Sequence, residues 1–205
     1  MSRLKKFRKD QIILYQGEAT PNIYKIKSGL VKCYTTLDNG NEAIISLFGP
    51  GDYFPVVANI ENLFSYFYHE TMDDTEVELL RSDDYAAMRD KPGMLNEHHI
   101  KYLGALFHVN ALVQPTAYEK LAHTLRYLAI RFGEDMPIKR YRRVKIKLTQ
   151  QILANIANIS RETASLELNK LKKQEIIIEK NKFYLVDLAI VTTIIGDDID
   201  SSISL

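Results

Sequence analysis

Residues 148–171, LTQQILANIANISRETASLELNKL, read as two short helices joined by a tight turn. Thr149 is placed to cap the first, because its hydroxyl can accept a bond from an N–H that has no partner within the helix. Ile152, Leu153, Ile156 and Ala157 recur with a helical period and give that helix one face to bury. Asn158 follows, one of the few side chains besides glycine that tolerates a left-handed backbone, and Ile159 fills the angle. Ser160 caps the second helix, with Thr163 three residues on, and Ala164, Leu168 and Leu171 form its apolar stripe. The other face carries Arg161, Glu162, Ser165, Asn169, Lys170 and Lys173, groups suited to base edges and phosphates. This is the pattern of a helix-turn-helix with a recognition helix from about Arg161 to Lys173.

A surface αα-hairpin with solvated charges is the plain alternative, and charge separates the two. Between Met136 and Gln174 stand ten basic residues: Lys139, Arg140, Arg142, Arg143, Lys145, Lys147, Arg161, Lys170, Lys172 and Lys173. Only Glu162 and Glu167 oppose them, a balance of +8 in a chain whose total is +1. Concentrated positive charge on one unit is the footprint of a surface that meets phosphate. The candidate DNA-binding residues are Thr149, Gln150, Ser160, Arg161, Glu162, Thr163, Ser165, Leu166, Asn169, Lys170 and Lys173.

The 205 residues hold one large or two modest domains, and 46% apolar content can bury real cores. No run of about 18 apolar residues exists, so no membrane span is expected. The N-terminal MSRLKKFRKDQIILYQGE lacks the apolar core of a secretory signal. Cys33 is the single cysteine, which rules out an internal disulfide or a cluster held by four thiolates of one chain. A reducing, cytoplasmic setting is expected.

From Asp10 to about Leu80 short strands alternate with turn residues. Ile12–Tyr15 runs into Gln16-Gly17, Asn22–Lys27 into Ser28-Gly29, and Leu30–Thr35 into the hairpin signal Asp38-Asn39-Gly40. Glu42–Phe48 is the return strand, closed by Gly49-Pro50-Gly51-Asp52; Phe64–Thr71 and Thr75–Leu80 read as two more. Regular strands with a glycine at each turn predict a jelly roll or small barrel. Ser82-Asp83-Asp84 can cap a short helix from Tyr85 to about Asp90, ended by Pro92-Gly93.

A long helix is expected from about Met94 to Val113. Leu95, His99, Tyr102, Leu106, Val109 and Val113 are spaced 4, 3, 4, 3, 4, the a/d seam of a coiled coil, and predict a two-fold dimer interface. A second stripe, Ile100, Leu103, Phe107 and Ala111, can pack on the barrel; a helix buried in a monomer core is the alternative. Pro115 breaks the helix, and Thr116 opens the next with Glu119 completing a capping box. Pro115 and Thr116 are the hinge candidates. That next helix carries Leu121, Ala122, Leu125, Leu128 and Ala129 and closes at Gly133. After the helix-turn-helix, Ile176–Lys180 and Lys182–Val186 form a hairpin wing around Asn181, Asp187 caps a last helix, and the tail from Gly196 is acidic and loose. The expected fold class is α+β: a jelly-roll-type β-barrel over 1–93, a dimerisation helix and hinge over 94–115, and a winged helix-turn-helix domain over 116–205.

This order resembles the Crp/Fnr family of bacterial transcription regulators over nearly the whole chain. The resemblance rests on Leu148-Thr149, on Ser160-Arg161-Glu162-Thr163, and on the rhythm Gly17-Glu18, Gly29, Gly40 with Glu42, and Pro50-Gly51-Asp52. It implies a cyclic-nucleotide-binding-like sensor barrel, a homodimer on a palindromic operator in double-stranded DNA, RNA polymerase as partner if the protein activates, and allosteric control by a small-molecule effector. Members that read a cyclic nucleotide place Gly-Glu after the Pro-Gly-Asp turn and an Arg followed by Ser or Thr later. Here those places hold Pro55-Val56 and Ser65-Tyr66, and no Arg or Lys occurs from Tyr53 to Leu80. A cyclic phosphate would lack its cation, which argues against cyclic AMP. The oxygen-sensing branch needs four cysteines. Many relatives carry a guanine-reading Arg where this chain has Leu166, which can touch only a thymine methyl.

Other classes have less support. His69, His98, His99, His108 and His123 show no tight metal-ligand spacing, so no metal, haem or other cofactor is expected. Cys33 reads as a small buried residue rather than a redox sensor. No nucleophile elbow, phosphate loop or defensible carboxylate pair marks an enzyme, and a pure effector-binding or haem/redox-sensing module would not need the basic winged unit.

Overall fold

The computed structural model describes residues 3–19, 22–55, 64–81, 84–85, 112–137 and 140–196. The chain divides into two compact units, Met1–His99 and Ile100–Leu205.

The first unit is a sandwich of two four-stranded antiparallel sheets. Its strands are β1 (Arg3–Phe7), β2 (Ile12–Leu14), β3 (Asn22–Ser28), β4 (Val31–Thr36), β5 (Glu42–Phe48), β6 (Tyr53–Phe54), β7 (Tyr68–Thr71) and β8 (Thr75–Arg81). One sheet has the order β1-β8-β3-β6 and the other β2-β7-β4-β5. Alternate residues point inward along each strand, so Phe7, Tyr24, Ile26, Phe54 and Val77 of the first sheet meet Leu14 and Val31 of the second. Full burial of each such side chain contributes roughly 1.5–3 kcal/mol. The β3–β4 turn needs Gly29: its φ is +93°, and a Cβ there would lie 2.7 Å from the Asp74 carbonyl oxygen.

Three strands of this unit differ from the expectation. The strand expected over Phe64–Thr71 starts only at Tyr68; Phe64 makes an isolated bridge to Ala19, and Tyr66 and Phe67 form a bend. Strand β1 has no apolar period in the sequence, because Arg3-Leu4-Lys5-Lys6 forms a sheet edge and is polar, and β6 is too short to show one. Of the short helix at Tyr85–Asp90, only Asp84 and Tyr85 are described, and both are helical.

The expected helix over 94–113, and with it Leu95, His99, Tyr102, Leu106 and Val109, lies outside the described residues up to 111. Leu112 is helical and Val113 lies in the turn that follows, 71% exposed.

The second unit holds helices α1 (Ala117–Phe132), α2 (Gln150–Ala157), α3 (Arg161–Lys173) and α4 (Leu188–Ile195). The capping box is complete: Thr116 accepts from the Glu119 N–H, and the Glu119 carboxylate accepts from the Thr116 N–H. Leu121, Ala122, Leu125, Leu128 and Ala129 are fully buried. α1 ends at Gly133, a position that needs glycine because a Cβ there would run into the Ala129 carbonyl. The wing hairpin of β11 (Ile177–Lys180) and β12 (Phe183–Val186) belongs to a four-stranded sheet, β11-β12-β10-β9, with β9 (Gly133–Asp135) and β10 (Arg142–Val144). Its turn uses two left-handed residues, Asn181 (φ 54°) and Lys182 (φ 65°), rather than Asn181 alone.

Candidate nucleic-acid interface

Local chemistry fixes the two interface helices. Thr149 Oγ1 accepts from the Ile152 N–H at 3.2 Å and starts α2. Asn158 takes φ 49°, ψ 54° and returns its N–H to the Ala154 carbonyl, which ends α2 and sets the turn. Ser160 Oγ then accepts from the Thr163 N–H at 3.1 Å, and the two hydroxyls stand 2.8 Å apart. Ala164, Leu168 and Leu171 are fully buried and fix which face of α3 points out. Tyr118 near the start of α1 donates its hydroxyl to Gln174 Oε1 at 2.9 Å, just past the end of α3.

The outward face carries Arg161, Glu162, Leu166, Asn169, Lys170 and Lys173, all exposed, with Ser165 and Thr163 half-buried beside them. Gln150 is half-buried at the start of α2. Thr149, Ser160 and Thr163 use their hydroxyls in the caps, so they position the helices. Glu162 sits in the first turn of α3, where the helix dipole favours a carboxylate.

The +8 counted over residues 136–174 is not a free surface, which corrects the expectation drawn from the sequence. Arg140 Nε is 2.9 Å from the buried carboxylate of Asp187, whose hydrogen bond holds the guanidinium still more firmly protonated. Arg142 pairs with Asp135 and Arg143 with Glu134; Lys170 pairs with Glu167 at 2.7 Å and Lys172 with Glu179. Except for Glu167, these acids lie outside the stretch counted and are brought in by strand pairing and the cap of α4.

What remains basic is arranged differently. Arg161 and Lys173 on α3 make no ion pair among the described residues. Lys145, Lys147, Lys180 and Lys182 likewise make none, and all four are exposed around the wing. The Lys147 and Arg143 side chains lie over the Phe183 ring, 5.8 Å and 4.7 Å from its centroid. The Leu148 N–H donates to the Lys182 carbonyl at 2.9 Å, tying the wing turn to the start of α2. The sequence counts Lys145 and Lys147 toward the basic balance but does not place them beside the wing with Lys180 and Lys182; the alternation Lys145-Ile146-Lys147 is the available signal.

The interior of the first unit is packed with rings. Phe54 stacks on Tyr24 at 5.2 Å and on His69 at 5.3 Å, with Phe48 alongside. Burial lowers the His69 pKa to about 4, so the ring is neutral. Ser65, in the place of the phosphate-binding pair, is buried and donates to the Phe67 carbonyl at 2.6 Å, while Tyr66 points to solvent. The residues present do not fit a cyclic phosphate. They do not fit an iron–sulfur cluster either: Cys33 is buried, and desolvation raises its thiol to about 12. Val56 lies outside the described residues, as do His98, His99 and His108. Pro115 and Thr116 are exposed. No helix among the described residues is long and apolar enough to cross a membrane.

Comparison with known proteins agrees with this architecture. A cyclic nucleotide-binding domain model matches residues 4–91, and a Crp-like helix-turn-helix domain model matches residues 119–190. The regulatory protein HlyX of Actinobacillus pleuropneumoniae is 28% identical, covering 91% of this chain and 79% of its own. The fumarate and nitrate reduction regulatory protein of Yersinia pestis is 25% identical over 91% of this chain and 76% of its own. Among solved structures, a Crp-family transcriptional regulator from Thermus thermophilus, TTHB099, superposes with a TM-score of 0.76 at 21% identity, covering 97% of this chain and all of the other. FixK2 from Bradyrhizobium japonicum gives 0.74 at 20% identity, over 94% of this chain and 96% of its own. With a cyclic nucleotide-binding domain and a Crp-like helix-turn-helix domain matched in that order, and with regulators of this kind aligned over 91% of it, the chain belongs to the Crp/Fnr family of transcription regulators.

Proposed function

We propose that this regulator works as a homodimer that binds a palindromic DNA operator, one half-site for each recognition helix. The observation that carries this is the outward face of α3. Its caps and buried stripe hold Arg161, Glu162, Leu166 and Asn169 toward solvent, with Lys173 and the wing lysines on its flanks. In this reading Arg161 bonds a guanine's O6 and N7, and Glu162 accepts from a cytosine N4 amine. Lys173, Lys170 and the wing lysines meet phosphates. Thr149, Gln150, Ser160, Thr163 and Ser165 position the helices or touch the backbone.

Residues 1–93 act as the sensor, 94–115 as dimerisation helix and hinge, and 116–205 as reader, with Pro115 and Thr116 as the hinge. The seam from Leu95 to Val113 pairs the two copies and sets the recognition helices about 34 Å apart, one turn of DNA. The signal is neither a cyclic nucleotide nor a four-cysteine cluster, although relatives carry names such as anaerobic regulatory protein. RNA polymerase is the partner if the regulator activates.

Sedimentation combined with operator titration tests this. The wild type should be dimeric at micromolar concentration, and Leu106→Glu with Val109→Glu should give monomers that lose specific binding. A monomeric wild type, or monomers that keep full specificity, would contradict the reading.

A further inference from the structure

Leu166 is out of place on the face it occupies. Glu162, Leu166, Asn169 and Lys173 follow one another at spacings of 4, 3 and 4, so they line one stripe of α3. Leu166 is 63% exposed in the middle of that stripe. The core of the unit has no need of it, because Leu168 and Leu171 of the same helix are fully buried and already anchor α3. Its companions on the stripe are a carboxylate, an amide and an ammonium group. An isobutyl side chain has no donor or acceptor, so at this position it cannot bond a base edge. The major groove offers one apolar group on its floor, the C5-methyl of thymine. Glu162 and Arg161 on the turn before, and Asn169 on the turn after, carry hydrogen-bonding groups exposed on either side, and Leu166 leaves a gap between them that can read only shape and dehydration.

We propose that Leu166 is a methyl reader, which selects one thymine in each half-site by packing against its C5-methyl. This rests on the reading of α3 as the recognition helix. The chemistry is a pyrimidine 5-methyl group, which 5-methylcytosine also carries; thymine is the ligand assigned here. Taking one methyl out of water is worth about fourfold in an equilibrium constant, and two half-sites give about fifteenfold.

The test uses the full chain and the palindrome it selects from a randomised duplex pool. Each thymine of the half-site is replaced in turn by deoxyuridine, which keeps every hydrogen-bonding group and removes only the methyl. One symmetric pair of replacements should weaken wild-type binding about fifteenfold, and the same pair should change Leu166→Ala binding by less than twofold. With the same base pair changed to C·G, 5-methylation of the cytosine should restore affinity for the wild type and not for Leu166→Ala. If no deoxyuridine replacement weakens the wild type, or if Leu166→Ala suffers the same loss, the inference is overturned while the reading of α3 stands. A pool that yields no palindrome overturns both.

Discussion

Replacing Lys173 with alanine isolates a single class of contact. Lys173 is the last residue of α3, exposed, and makes no ion pair among the described residues. Its removal costs the fold little: a favourable cation at a helix C-terminus is worth about 0.3–1 kcal/mol, and alanine's helix propensity offsets part of that. The effect on DNA should be larger and of one kind. Each phosphate neutralised contributes about 0.9 to the slope of log affinity against log salt, so a two-fold complex that loses two such contacts should flatten by about 1.8. Over a rise from roughly 50 to 200 mM salt, the variant should therefore lose about twelvefold less affinity than the wild type. Lys170 is the control. It is already paired with Glu167 at 2.7 Å, and its removal leaves a half-buried carboxylate beside the DNA. Lys170→Ala should weaken binding at every salt concentration with a smaller change in slope. Anisotropy titrations on specific and random duplexes measure both, and thermal melts check the fold. An unchanged slope and affinity for Lys173→Ala would refute the placement of this face against phosphate.

Three further outcomes follow from the packing. His69 is neutral in its aromatic cluster with a pKa lowered from 6.5 to about 4, so below pH 6.5 the unfolded chain binds a proton that the folded chain refuses. Stability should fall by up to about 3 kcal/mol as pH drops through that window; His69→Phe should flatten the fall in urea denaturation, and equal slopes would contradict the assignment. Asp187 accepts from the Ile190 N–H at the start of α4 and from Arg140, which is exposed. Asp187→Ala should cost about 1 kcal/mol more than Asp187→Asn, which can keep the cap; equal losses would show that the cap contributes nothing. Cyclic AMP and cyclic GMP should give no binding heat at micromolar protein, and a micromolar dissociation constant would mean that a cation reaches the barrel from outside residues 53–80.

The helix-turn-helix was legible because its determinants are local. Thr149, Asn158 and Ser160 act within four residues, and the apolar stripe of α3 needs no partner to be recognised. The hairpin at Asp38-Asn39-Gly40 was legible for the same reason. Strand β10 was not. Its three residues have no period of their own, and pairing with β9 and β12 makes them a strand. The same distance hid the fate of the arginines: Arg140 finds Asp187 forty-seven residues later, so a count along the chain overstated the free charge. The sequence shows the wing lysines but not their common place, which depends on the turn at Asn181 and Lys182 lying against Leu148.

Selection from a randomised duplex pool, run in parallel with the wild type and Arg161→Ala, tests the central claim most directly. Arg161 is exposed in the first turn of α3 and makes no ion pair among the described residues, so its removal should leave the fold intact. The wild type should recover a palindrome with half-sites one helical turn apart. Arg161→Ala should recover the same spacing with selectivity lost at one G·C pair per half-site, at a cost of roughly 1–3 kcal/mol. Identical base preferences from the two proteins, or no enriched palindrome from the wild type, would contradict the account.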